Sequence, residues 1–404
     1  MSREAPLDQV GRTEVPWLDR ARLADKLRAD WERIATATAA HAQPQAHALL
    51  ETLRPEAHIR DRHHTVPRFL LKRWANASEQ VHVYSRIENK RRNGNIRDLA
   101  ITDFYTFVDR DGRKDSRLES ALGYVEDETA PILDRLLSPF GSGPLDQKGL
   151  AKLAQFASVQ SVRTARQKRE LELMVEWYAK TGARGRISDQ DLRSIEIVPH
   201  QNDFIRGIGQ RAEAMFPVIA ARPLALVTLD QPLLLIGDDP VIFNVPDHPP
   251  HTPDCYLSDE EIEERCRRRR RKDRRTSGSG RKRIVHIYST VSKGAGVALE
   301  IVMPISPRAA LIWGPLHEGR FLDHFERDHL TGSDCQDFAA HANEATCNQA
   351  LDWTVARPED SSFATRNFPE VRLPLAICDG VNAASSALNT VPARLRPARL
   401  SASP

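Results

Sequence analysis

The sequence predicts an α+β protein, a helical layer packed on a mainly antiparallel β-sheet. Three observations lead there. The chain has 404 residues, 40% hydrophobic and 28% charged, which is ample for a buried core and too apolar for wholesale disorder. Apolar residues recur at helical spacing through about 110–215. Strand-length apolar runs bounded by turn residues then crowd 224–313.

Taken in order, residues 17–53 read as one or two exposed helices, with Leu18, Leu23, Leu27, Trp31 and Ile34 at three-to-four spacing and a break near Pro44. In the motif Arg62-His63-His64-Thr65-Val66-Pro67-Arg68-Phe69-Leu70, Pro67 suits the first turn of a short helix, where its missing N–H costs nothing. Strands are expected at 81–85 and 104–108, with the turn former Asn93-Gly94 between them. Leu118, Leu122, Val125, Ile132 and Leu136 mark an amphipathic helix ending before Pro139. A longer helix over 146–180 turns Leu150, Leu153, Ala154 and Ala157 inward. Strands follow at 224–229, 233–236, 241–245, 284–289, 298–303 and 309–313, then a closing helix at 334–350. The organisation is a helical extension over 1–58, an α+β core over 59–355 carrying a flexible insertion at 246–283, and a C-terminal segment over 356–404, disordered from about 383.

Charge is distributed unevenly. The net charge is +3, yet 265–283 holds twelve Lys or Arg and a single acid, Asp273; removing that +11 leaves −8 for the rest. Arg267–Lys272 and Arg281–Arg283 can grip a phosphate backbone without reading sequence, so nucleic acid is the expected partner. The bland alternative is a solvated loop docked on the protein's own acidic surface. No aromatic residue is interleaved, so base stacking is unsupported. No apolar run reaches the ~18 residues of a membrane helix. The first thirty residues alternate charges without an apolar stretch, and the five cysteines form no C-x-x-C pair. A reduced, cytoplasmic protein is expected; the oligomeric state is not legible.

Candidate chemistry sits in short polar pieces. His64 precedes the Pro67 helix and can serve as ligand, base or helix cap. Glu119 and Glu126 are seven apart, two turns along one helix face, about 10 Å along the axis. Gln160 and Arg163 share a face of the next helix, where Arg163 either pairs with one of those carboxylates or holds an anionic substrate. Asp238-Asp239 on a turn before Pro240 suits a hard divalent cation, or else a turn that bonds its own backbone. Asn343 and Gln349 read as the solvent face of the closing helix. No P-loop, G-x-G-x-x-G, G-x-S-x-G, H-E-x-x-H or EF-hand pattern is present.

His64-Thr65-Val66-Pro67-Arg68-Phe69-Leu70, Phe104-Tyr105-Thr106, Glu119, Glu126, Gln160-Ser161-Val162-Arg163-Thr164, Gly237-Asp238-Asp239-Pro240 and Met303-Pro304-Ile305-Ser306-Pro307 occur in that order. Over about 60–355 this series resembles a microbial family known only as a domain of unknown function, number 4238. Gly237 stands where that family usually has Ser, and Ile305 where it has Leu. The resemblance implies domain limits and carries no reaction with it.

The leading expectation is a metal-assisted phosphodiesterase acting on nucleic acid. Asp238, Asp239, Glu126 and His64 would hold Mg²⁺ or Mn²⁺, with His64 alternatively the base. Gln160 and Arg163 would complete the site, Arg163 stabilising phosphoryl charge. Against it stands a non-catalytic binding or regulatory protein, in which the same residues fix one packing and the basic loop recruits nucleic acid or an acidic partner. A metal-free enzyme for a small carboxylate or phosphate is a third reading.

Overall fold

The computed structural model describes residues 63–102, 105–108, 114–115, 117–138, 143, 145–172, 188, 191, 201–244, 286–288, 298–315, 325–368 and 376–378. The expected helices at 17–53, the insertion at 246–283 and the tail from 383 lie outside them, and the expected strand at 284–289 is described only over 286–288. The helices are α1 (Arg68–Leu71), α2 (Arg117–Leu137), α3 (Gln147–Val162), α4 (Gln201–Ala220) and α5 (Gly332–Gln349). The strands are β1 (His63–His64), β2 (Gln80–Ser85), β3 (Lys90–Asn95), β4 (Ile101–Thr102), β5 (Phe107–Val108), β6 (Lys114–Asp115), β7 (Leu224–Leu229) and β8 (Ile236–Gly237). They continue as β9 (Ile242–Asn244), β10 (His286–Tyr288), β11 (Glu300–Ser306), β12 (Ala309–Trp313), β13 (Phe325–Leu330), β14 (Trp353–Ala356) and β15 (Ala376–Cys378).

A five-stranded sheet runs in the order β13-β7-β12-β11-β9, antiparallel except where β13 joins β7 in parallel. A four-stranded antiparallel sheet runs β3-β2-β14-β8. The α+β expectation holds, with one extension. Side chains of a strand alternate between faces. Leu224 and Leu226, Ile301 and Met303, Ala309, Leu311 and Trp313 share a core with Leu133, Leu136, Leu153, Ala157 and Ile219 of α2, α3 and α4. Their neighbours Val227, Leu229, Val302 and Ala310 share a second core with Cys335, Ala339 and Ala342 of α5. The large sheet is therefore covered on both sides. That is why β7 and β12 read as continuous apolar runs rather than alternating ones.

Several elements differ from the sequence reading, each for a local reason. Asn93-Gly94 does not turn the chain: it lies inside β3, paired with Val81 and His82. A side chain at Gly94 would meet Val83 Cγ2 and Arg92 Nη1 at 3.1 Å. The turn falls at residues 86–89, where Asn89 takes the positive φ of 48° that Asn tolerates. The long helix is not continuous. α3 stops at Val162, and helical geometry resumes over 165–172. Thr164 begins the new stretch, its hydroxyl accepting from the Gln167 N–H and its carbonyl from Lys168. β13 and β14 were not expected at all, and 233–235 is extended without ladder pairing. Beyond 356 the chain still packs: Phe368 stacks on Tyr84 with ring centroids 4.0 Å apart, and Phe363 stacks on His82. Among the described residues no helix is long and apolar enough to cross a membrane.

Ala310 and Leu311 lie on opposite faces of the central strand β12, both fully buried. Ala310→Asp and Leu311→Asp are each expected to cost about 3 kcal/mol or more in a denaturant melt, because each carboxylate would be buried unpaired. A tolerated Ala310→Asp would mean that the α5 face of the sheet is open to water.

Candidate functional site

Two adjacent histidines open the described chain, and a strand sends them to opposite faces. The register of β1 on β4 pairs His63 with Thr102 and turns His63 inward, fully buried, while His64 is half-buried. It is His63, not His64, that joins the acids of α2. Its Nε2 lies 2.9 Å from Thr106 Oγ1 and its Nδ1 3.3 Å from Glu119 Oε2. The Tyr105 ring sits 5.7 Å from the imidazole. Carboxylate, imidazole and hydroxyl stand in the order of a nucleophilic triad. Thr106 is only 3% exposed, however, and His63 Nδ1 makes no aligned hydrogen bond. A hydroxyl so enclosed is a poor nucleophile for any substrate larger than water.

Glu126, two turns on, meets the end of α3. Arg163 Nη2 donates to Glu126 Oε1 at 2.8 Å, and Arg163 Nε donates to Gln160 Oε1 at 2.9 Å. The Gln160 amide in turn donates to the Thr65 carbonyl at 2.8 Å, tying α3 to the loop after β1. The Tyr105 hydroxyl donates to the Arg163 carbonyl at the break after α3. Arg163 is 1% exposed and the Glu126 side chain 25%. Burial raises the Glu126 carboxyl, Arg163 pulls it back, and nearby Glu119 and Asp127 push it further up. Burial also opposes the Arg163 cation, but the charges of Glu126, Tyr105 and Glu119 outweigh it and hold the guanidinium above its ordinary value. The expected pairing of Arg163 with a carboxylate is thus present, through one nitrogen, with Gln160 taking the second.

The acid pair at 238–239 stands where the chain leaves the smaller sheet at β8 and enters the larger at β9. Asp238 does not face outward. Its Oδ1 accepts from the Leu351 N–H at 2.7 Å, and its Oδ2 from Asp352 and Trp353 at 2.6 and 3.1 Å. Those are the donors left over between the end of α5 and the start of β14. Burial pushes the Asp238 carboxyl up to about 7 against the pull of these three donors. Asp239 is fully buried, and its carbonyl accepts from the Gln349 amide. Asn343 accepts from Leu235 N–H and donates to the Leu233 carbonyl, both at 2.8 Å. It thereby satisfies the stretch that has no ladder partner. Asn343 and Gln349 are buried, so neither lies on the solvent face of α5.

The acids thus divide between two networks, one around Arg163 and one at the 238–241 corner. Among the described residues no three or more His, Cys, Asp or Glu form a group that could hold a metal ion, so His64, Glu126, Asp238 and Asp239 do not make the expected ligand set. The physical reason lies in the partners: backbone donors occupy both oxygens of Asp238, and Arg163 occupies Glu126. Sequence reasoning missed Arg166 and Arg86, which close the C-terminus of α5. Arg166 donates to the Gln349 carbonyl at 2.6 Å, and Arg86 to the carbonyls of Ala350 and Cys347. It also missed His63, Tyr105 and Thr106. Alternation along a strand says that one of two histidines turns in, but not which.

No curated protein and no solved structure matches the chain. A family model does, over residues 62–262, which contain β1 to β9 and every member of the Arg163 network. By that match the chain belongs to the family described as protein of unknown function (DUF4238).

Proposed function

We propose that this is a non-catalytic nucleic-acid-binding protein, in which the buried polar networks fix the scaffold and the arginine-rich segment 265–283 takes hold of phosphates. The observation that carries the first half is enclosure. Arg163, Gln160 and Asp238 are at most 3% exposed, and their bonds run to other parts of the same chain. Groups committed in that way cannot reorganise around a phosphoryl group without unpairing one another. The partner follows from charge: +11 over nineteen residues is opposite in sign to the phosphate backbone and concentrated enough to neutralise several phosphates.

The metal-assisted phosphodiesterase reading keeps some support from the acids and imidazole clustered near α2. It requires Asp238 to release three backbone N–H groups, which leaves them buried and unpaired. Scaffold and enzyme predict different consequences for the same substitutions.

Binding to a labelled 20-mer, followed by anisotropy between about 50 and 200 mM salt, should weaken with a log–log slope of about −0.9 for each phosphate contacted on duplex DNA and about −0.7 on a single strand of DNA or RNA. Replacing the twelve basic residues of 265–283 by glutamine should remove most of that slope. Unchanged binding would sink the proposal.

Arg163→Ala leaves the Glu126 carboxylate without its cation, at a cost of about 2–3 kcal/mol, below the ~3–5 of a wholly buried pair because Glu126 is a quarter exposed. Asp238→Ala should cost at least as much, about 3 kcal/mol, since three buried donors lose their acceptor. Thermal melts of both variants check this. Wild-type cleavage of either nucleic acid with Mg²⁺ or Mn²⁺, lost in an Asp238→Ala protein that melts like the wild type, would restore the enzyme.

A further inference from the structure

The edge of the smaller sheet carries a feature that the binding proposal does not use. β3 is the outermost strand: β2 pairs one side of it, and in the described chain no strand pairs the other. Edge strands invite accidental pairing, and charge is the usual protection. Here the protection has one sign. Lys90, Arg91 and Arg92 are consecutive and exposed. At the far end of the strand, Arg97 and Arg68 both reach Glu79, at 2.6 and 3.3 Å, and Lys72 adds its charge beside them. One carboxylate thus serves three cations.

Counting the edge and its flanks, Arg68, Lys72, Lys90, Arg91, Arg92 and Arg97 face Glu79, Glu88 and Asp98. The excess is +3, on a chain that sums to −8 outside the 265–283 segment. The strip is also ordered. Arg91 lies over the Tyr84 ring at 4.9 Å and the Phe368 ring at 5.5 Å, and it donates to the Arg366 carbonyl. That stacking spares it part of the entropy lost when a free arginine is fixed on a ligand.

We infer that the β3 edge is a second phosphate-backbone contact, running along the strand from Lys90 to Arg97 with Arg68 and Lys72 of the α1 region at its end. The inference rests on the nucleic-acid reading proposed above and adds a folded surface to it. Six strand residues at ~3.3 Å each give a track of about 20 Å. At 3.4 Å per nucleotide along a duplex strand, that is roughly six steps. The cations sit on both faces of β3 and beyond it on α1, so the positive surface is wider than a ladder of strand hydrogen bonds. Breadth of this kind favours a polyanion lying across the edge over an acidic peptide added as another strand.

The test is a salt titration with the same labelled 20-mer, on the full chain and on the chain whose twelve arm residues are glutamine. Each is measured with and without Lys72→Gln, Lys90→Gln, Arg92→Gln and Arg97→Gln combined. All four side chains are exposed, so the melting temperature should hold. Loss of three to four phosphate contacts should flatten the slope by about 3 in both backgrounds. Lysine in place of Arg92 and Arg97 should keep it. A slope that drops with the arm but not with the four substitutions would overturn the edge contact and leave the arm standing. A slope insensitive to both would remove the nucleic-acid reading itself. Weakened binding of polyglutamate with unchanged binding of the 20-mer would overturn the proposal in favour of an acidic peptide.

Discussion

The carboxylate of Asp238, at the corner between the two larger described sheets, holds three successive N–H groups 113 to 115 residues further along the chain. Residues 238–241 are the corner at which the chain passes from β8 to β9, and residues 350–352 are where α5 gives way to β14. A helix end and a strand start meeting in the interior leave backbone groups that water cannot reach. Asp238 takes the donors. Arg86 and Arg166 take the carbonyls, at Cys347, Ala350 and Gln349. Asp352 completes the junction by accepting from Ser85 Oγ and the Ile87 N–H on the β2 side. Charged side chains here do what a solvated loop leaves to water.

The Arg163 network stands next to this junction, three residues before Arg166. Arg163 lies in the break at 163–164 and Arg166 just after it, and the break lets them serve different partners: a continuous helix would place two residues three apart on nearly the same face. Tyr105 and Thr164 stabilise the interruption from either side. Arg222 plays a comparable part at the other end of the helical layer, where it spans the carbonyls of Ala298 and Gly314; its burial lowers the guanidinium to about 10. Such buried ions are weak evidence of net stability, because desolvation offsets much of what their partners return.

What the sequence made legible follows from which signals are local. β7 and β12 coincide with the apolar runs because burial on both faces writes itself into every residue. The inward set Leu150, Leu153, Ala154 and Ala157 of α3 follows from helical spacing alone. β3, spelled Lys-Arg-Arg-Asn-Gly-Asn, has no strand signal of its own, and only pairing with β2 makes it one. The break in the long helix did have a signal, Thr164-Ala165-Arg166-Gln167, the Ser/Thr-x-x-Glu/Gln pattern of a helix start. For the polar site, the three-residue spacing of Gln160 and Arg163 was sufficient to place them together, while the partners of Asp238 lie too far along the chain for any spacing rule. Two adjacent acids on a turn look alike whether they aim at a cation or at buried N–H groups.

Electrostatics then sets how two cationic elements can share one chain. At physiological ionic strength, charges more than about 8 Å apart across water barely sense one another, so the −8 of the body does not cancel the arm at a distance. Close contact is different, because two parts of one chain joined by a short flexible connection can meet at an effective concentration in the millimolar range. Under the proposed function, acidic parts of the body would compete with nucleic acid for the arginine-rich segment. The β3 edge, carrying the same sign as the arm, would not. Salt would weaken such a self-contact and the proposed phosphate contact together. Affinity should therefore fall less steeply with salt than a free peptide of the arm's sequence would show, and the shortfall measures how much of the arm's charge the body was already holding.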